Sequence, residues 1–127
     1  MLNATFDAGK NDSDNHYTKW LYQTPSDVRL LMAIIYVETM SDDVQSLDKL
    51  PTDLNDSLAV IHRIKGGAGQ IGLRCIEQLA IETETLGKAH SSSYVSSLVR
   101  LIHSIKESIQ TVEAWIDNEQ AALVAVA

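Results

Sequence analysis

The sequence predicts an all-α domain, an antiparallel four-helix bundle with a short leading helix. Three observations carry this. Apolar residues recur at steps of three and four in four successive segments, the spacing of one helical face. Residues that start or stop helices fall between those segments: Pro51, Gly72 and the run Ser91-Ser92-Ser93. No segment alternates apolar and polar residues for long enough to make a strand, and no internal repeat is evident. Short connections between amphipathic helices favour an up-and-down bundle.

From the amino terminus, Asn3 to Asn15 are polar and rich in Gly, Asp and Asn, so residues 1–15 read as a flexible arm or linker. Tyr17, Trp20, Leu21 and Tyr22 then form an apolar patch of one or two helical turns. Thr24-Pro25-Ser26-Asp27 reads as a helix start: Thr24 as cap, Pro25 at the first helical position, Asp27 three residues past the cap. This helix is expected to reach about Leu50, where Pro51 stops it. Thr52 or Asn55 can cap the next, whose stripe is Leu58, Ile61, Ile64, Ala68 and Ile71, with Gly72 as terminator. The third helix turns Ile76, Leu79, Ala80, Thr83 and Leu86 inward, with Gly87 just past its core. The serines offer caps for the last, whose seam is Val95, Leu98, Ile102, Ile105, Ile109, Val112 and Ile116. The bundle domain thus covers residues 16–120. The apolar stretch 121–127 is left as a tail, too short to span a bilayer.

Composition excludes several classes of function. A chain of 127 residues is long enough for one sizeable core, and 45% hydrophobic residues with a mean hydropathy of −0.05 fit a globular domain. A net charge of −7 argues against a sequence-independent grip on nucleic acid and against adsorption to anionic membrane. No apolar run approaches the roughly 18 residues of a membrane helix. The lone cysteine, Cys75, forms no internal disulfide, so a reducing, cytoplasmic compartment is expected.

The chemistry concentrates in His62-Arg63-Ile64-Lys65-Gly66-Gly67-Ala68-Gly69-Gln70-Ile71-Gly72. Gly67-x-Gly69-x-x-Gly72 formally matches the dinucleotide fingerprint, with Glu84 in the position of its acidic residue. That motif needs a buried strand before the glycines, and His62, Arg63 and Lys65 occupy the approach. A Walker loop fails because no Gly-Lys-Ser/Thr follows. As a helix, the segment puts His62, Lys65, Gly66 and Gly69 on one face, about one residue's rotation from the core stripe. The His62 face is then partly exposed. Three interior glycines cost about 2–3 kcal/mol, which a purely structural helix has little reason to carry. Bare backbone at Gly66 and Gly69 would let another protein's active site approach the imidazole, and Lys65 could offset the charge of an added phosphoryl group. The plainer alternative is a surface histidine on a helix that ends at glycines.

His62-x-Ile64-Lys65-Gly66-Gly67-Ala68-Gly69-x-Ile71-Gly72 resembles the signature of histidine-containing phosphotransfer (HPt) domains of two-component phosphorelays, most like those of hybrid sensor histidine kinases. The likeness extends from about Tyr17 to Ile116 as a short leading helix plus four-helix bundle. It implies that His62 accepts a phosphoryl group on Nε2 from a receiver's aspartyl phosphate and relays it to a response regulator. Family spacing puts the partner of Nδ1–H at Glu84, where many hybrid-kinase HPt domains have glutamine and chemotaxis-kinase phosphotransfer domains have glutamate. A solvated helix-face charge beside Lys88 is the other reading of Glu84. The resemblance implies no ATP site and no cofactor in this chain, with Mg²⁺ held by the partner receiver. It implies a monomer whose partners are receiver domains of response regulators or hybrid kinases, either free or as the cytoplasmic end of a membrane-bound sensor. Two alternatives stand beside it: the phosphoacceptor domain of a chemotaxis-type kinase, and a helical interaction module without phosphochemistry. Leu30, Leu31, Met32, Ile34, Ile35, Tyr36 and Val37 exceed one core stripe. They either form an apolar docking patch near His62 or are covered by the Trp20/Tyr22 segment. His16, His90 and His103 have no metal-ligand spacing and read as surface residues.

Overall fold

The computed structural model describes residues 15–49 and 53–126. A 3-10 helix (Lys19–Gln23) leads into four α-helices: α1 (Arg29–Asp48), α2 (Leu54–Ile71), α3 (Arg74–Lys88) and α4 (Tyr94–Val126). Each helix packs on its two neighbours, α1 on α2, α2 on α3, α3 on α4 and α4 back on α1, which closes an all-helical four-membered bundle. The core is built from Ala33, Tyr36 and Met40 of α1, Ile61, Ile64 and Ala68 of α2, Ile76 and Ala80 of α3, and Leu101, Ile105 and Val112 of α4. Trp20 and Leu21 of the leading helix are buried with them. Of the expected arm, residues 1–14 lie outside the described residues.

The boundaries differ from the sequence expectation in instructive places. α1 begins at Arg29, not at Pro25, because Thr24 faces backwards. Its N–H donates to Leu21 O and its hydroxyl to Trp20 O, closing the leading helix, while Arg29 donates from Nε and Nη2 to Thr24 O. The end expected near Leu50 and Pro51 falls outside the described residues, α1 being helical to Asp48. α2 is capped by Asp53, whose carboxylate accepts from the Asn55 N–H at 2.9 Å, leaving Asn55 inside the first turn. Its other end follows expectation. Gly72 sits at φ 82° and donates to Gly69 O, while Leu73 N–H reaches back to Ala68 O, a full Schellman closure.

Gly87 is not past α3 but buried in its last turn: a Cβ there would lie 2.7 Å from Leu58 Cδ2 and 2.9 Å from the Tyr94 ring. Glycine lets α3 press against α2 and the start of α4. The seam of α4 is also rotated. Val95 is 65% exposed, and the fully buried line runs through Ser97, Leu101, Ile105, Ser108 and Val112. The two serines are tolerated inside because each has a partner on another helix, Ser97 with Thr83 (2.6 Å) and Ser108 with the Tyr36 hydroxyl (2.5 Å). Residues 121–126 continue α4 as helix instead of leaving it as a tail, and every residue from Asp117 to Ala125 is exposed. Among the described residues no helix is long and apolar enough to cross a membrane.

Candidate functional site

The eleven-residue motif is helical to Ile71, so the glycines form no nucleotide loop. The stripe Ile61, Ile64 and Ala68 is fully buried, and the rotation from it turns the His62 side chain outward, 66% exposed. Its Nδ1 lies 2.9 Å from Glu84 Oε2, in the middle of α3. The other Glu84 oxygen accepts from Lys65 Nζ at 2.6 Å, and Lys88, one turn further along α3, approaches Oε2 at 3.4 Å. The structure thus brings His62, Lys65 and Glu84 together, and adds Lys88, which sequence reasoning had considered only as a competing partner for Glu84.

Glu84 is the buried member, its side chain 7% exposed. A carboxylate removed from water would normally be driven toward its neutral form. The Lys65 ammonium bonded to it overrides that burial, assisted by His62 and Lys88, and lowers its pKa to about 2. Glu84 is therefore ionised at neutral pH and can only accept hydrogen bonds. This decides the tautomer of a neutral His62: Nδ1 carries the proton, and the lone pair is on Nε2, at the exposed edge of the ring. One carboxylate faces two ammonium groups, so the cluster has a surplus positive charge.

The glycines divide into two kinds. At Gly66 and Gly67 an added Cβ would meet nothing within 4 Å, so the helix surface is open beside the imidazole at Gly66 and toward α1 at Gly67. Gly69 is covered: a Cβ there would come 2.6 Å from Glu77 Oε2, so its bare backbone makes room for a carboxylate of α3 rather than open space. On the α1 side, Arg63 donates from Nε (3.1 Å) and Nη2 (2.7 Å) to the buried Asp43. No periodicity in the sequence marks Asp43 as buried, and this pair was not foreseen. The surplus apolar residues of α1 divide: Trp20 packs tilted against Tyr36, ring centroids 5.5 Å apart, and covers it, whereas Leu31 and Ile35 stay 58% and 44% exposed. Between Trp20, Met32, Ile35 and Gly67 lies a hollow of about 160 Å³. His16, His90 and His103 are all exposed.

A model of the Hpt domain family matches residues 32–115, which takes in His62, Lys65 and Glu84 and reaches all four bundle helices. No curated protein and no solved structure matches the chain significantly. The family match covers well over half the sequence, and the all-helical bundle with an exposed, oriented histidine on α2 agrees with it. The chain belongs to the Hpt domain family, the histidine phosphotransfer modules of two-component phosphorelays.

Proposed function

We propose that His62 is the phosphoacceptor of this module and that its Nε2 exchanges a phosphoryl group with aspartates of receiver domains. The observation that carries the reading is the pairing of an exposed ring with a buried, ionised Glu84 on its Nδ1. In the forward step the Nε2 lone pair attacks phosphorus, the P–O bond to the receiver aspartate breaks, and its electron pair returns to the aspartate carboxylate. Nδ1 keeps its proton throughout. The ring becomes cationic while it carries the dianionic phosphoryl group, and Glu84 stabilises that cation through the Nδ1–H bond.

Lys65 compensates the Glu84 charge, so the carboxylate does not repel the incoming phosphoryl group. The open backbone at Gly66 gives the receiver room to close on the ring, while Gly67 and exposed Leu31 and Ile35 supply contact on the α1 side. The Mg²⁺ needed for transfer belongs, in this reading, to the receiver, and the module acts as a cytoplasmic monomer.

Incubation with a phosphorylated receiver is expected to leave an acid-labile, alkali-stable phosphate on this chain, absent in His62→Gln. Label that persists in the folded His62→Gln protein would remove His62 from the acceptor role. Labelling by an ATP-loaded kinase core but never by a receiver would replace the relay with a chemotaxis-type kinase arrangement.

A further inference from the structure

Two lysines reach Glu84, and they are not equivalent. Lys65 is the inner one: its side chain is 29% exposed and its ammonium makes the short 2.6 Å contact. Withdrawing it would strip a buried carboxylate of its closest counter-charge, which is costly. Lys88 is the outer one: its side chain is 65% exposed, its contact is 3.4 Å, and it shares Oε2 with His62. Its departure leaves Glu84 still paired with Lys65 and bonded to His62, so the buried carboxylate keeps its closest counter-charge.

The register of the two helices places Lys88 beside the ring. α2 and α3 are antiparallel, with Gly69 against Glu77, Lys65 against Glu84 and Leu58 against Gly87. His62 lies between Lys65 and Leu58 on α2, so it is level with the turn from Glu84 to Lys88. Lys65 flanks the ring on one side along the helix axis, and Lys88 flanks it on the other. We propose that Lys88 is a catalytic cation of the transfer: it leaves Glu84 and pairs with the phosphoryl oxygens on His62 Nε2, while Lys65 stays on Glu84 as a positioning residue. The inference rests on His62 being the acceptor. It assigns the surplus positive charge of the cluster to a particular side chain. The exchange is favourable because the phosphoryl group offers about two negative charges, against one on a carboxylate already paired with Lys65.

The test is the rate of transfer from a phosphorylated receiver to the intact chain carrying Lys88→Ala, Lys88→Met or Lys88→Arg. Lys88→Ala and Lys88→Met are expected to slow transfer about tenfold alike, since Met keeps the aliphatic stem and loses only the charge. Lys88→Arg is expected to restore most of the rate. The Nδ1–H tautomer of His62, read from ring ¹⁵N shifts, should stay unchanged in all three. Native-rate transfer by Lys88→Met, in protein whose label still depends on His62, overturns the role of Lys88 alone. A tautomer lost together with the rate makes Lys88 a positioning residue and overturns its contact with phosphate. Label that survives His62→Gln overturns the acceptor reading and this inference with it.

Discussion

Glu84 shows how one side chain converts packing into chemistry. Its burial between α2 and α3 would raise its pKa, and three nitrogen groups pull it down to about 2 instead. Folding therefore favours its ionised form. The resulting stability is complete above the ordinary glutamate value of about 4.3 and is lost as pH falls toward 2, a contribution of about 2–3 kcal/mol. Thermal melts of the native protein and of Glu84→Gln should accordingly differ most near neutrality and converge in acid. A gap that does not change with pH would deny Glu84 this role. The same substitution should slow transfer, because a neutral amide oxygen stabilises the cationic ring less than a carboxylate does. The identity of Glu84 as partner was legible only through the family spacing. From periodicity alone it was equally a solvated neighbour of Lys88, and the structure makes it a buried neighbour of both His62 and Lys88. Asp43 was illegible, since a buried carboxylate leaves no trace in an apolar pattern when its partner, Arg63, is on another helix.

Among the elements, α2 separates stability from function most cleanly. Gly66 packs against nothing, so replacing it with Ala should stabilise the helix by about 0.5–1 kcal/mol. The added methyl would stand beside His62, so transfer from a receiver should slow as the melting temperature rises. A variant that gains stability with undiminished transfer would show that the receiver does not need the bare backbone. Gly72→Ala should have the opposite signature, losing about 1–2 kcal/mol because φ 82° is strained for any side chain, with little change in transfer. Chemical denaturation and transfer kinetics on the same samples check both. The interiors of α2 and α3 were legible because their stripes are mostly apolar, Thr83 being the one polar residue the expected stripe of α3 included. The start of α1 was not, because Thr24 satisfies every local rule for a cap and is used to end the preceding helix. The seam of α4 was misplaced because a hydrophobic count rejects Ser97 and Ser108, whose partners, Thr83 and Tyr36, sit on other helices.

At the scale of the whole molecule, the leading segment completes the core. Trp20 and Leu21 are almost wholly buried, and the Trp20 indole donates to Tyr17 O at 2.9 Å. Trp20→Ala should cost about 3–5 kcal/mol and expose Met32, Tyr36 and Met40, with a large fall in melting temperature measured by circular dichroism. A small fall would mean that the four helices close without their plug. The chain carries seven net negative charges, yet the surroundings of His62 include Arg63, Lys65 and Lys88. With His62 as the proposed acceptor, these cations stand beside it on an acidic body, and its encounter with a phosphorylated partner should weaken with added salt.

The imidazole has its root on one helix and its near nitrogen, Nδ1, pinned to the next. Where Nε2 lies in space is consequently a readout of how α2 and α3 are aligned, much as a vernier shows the offset between two scales. Leu58 against Gly87, one turn along from the ring, belongs to that alignment. Evolution could thus retune the aim of the reactive atom, and with it the choice among receivers, by exchanging one buried methyl group for another while every residue of the motif stays the same.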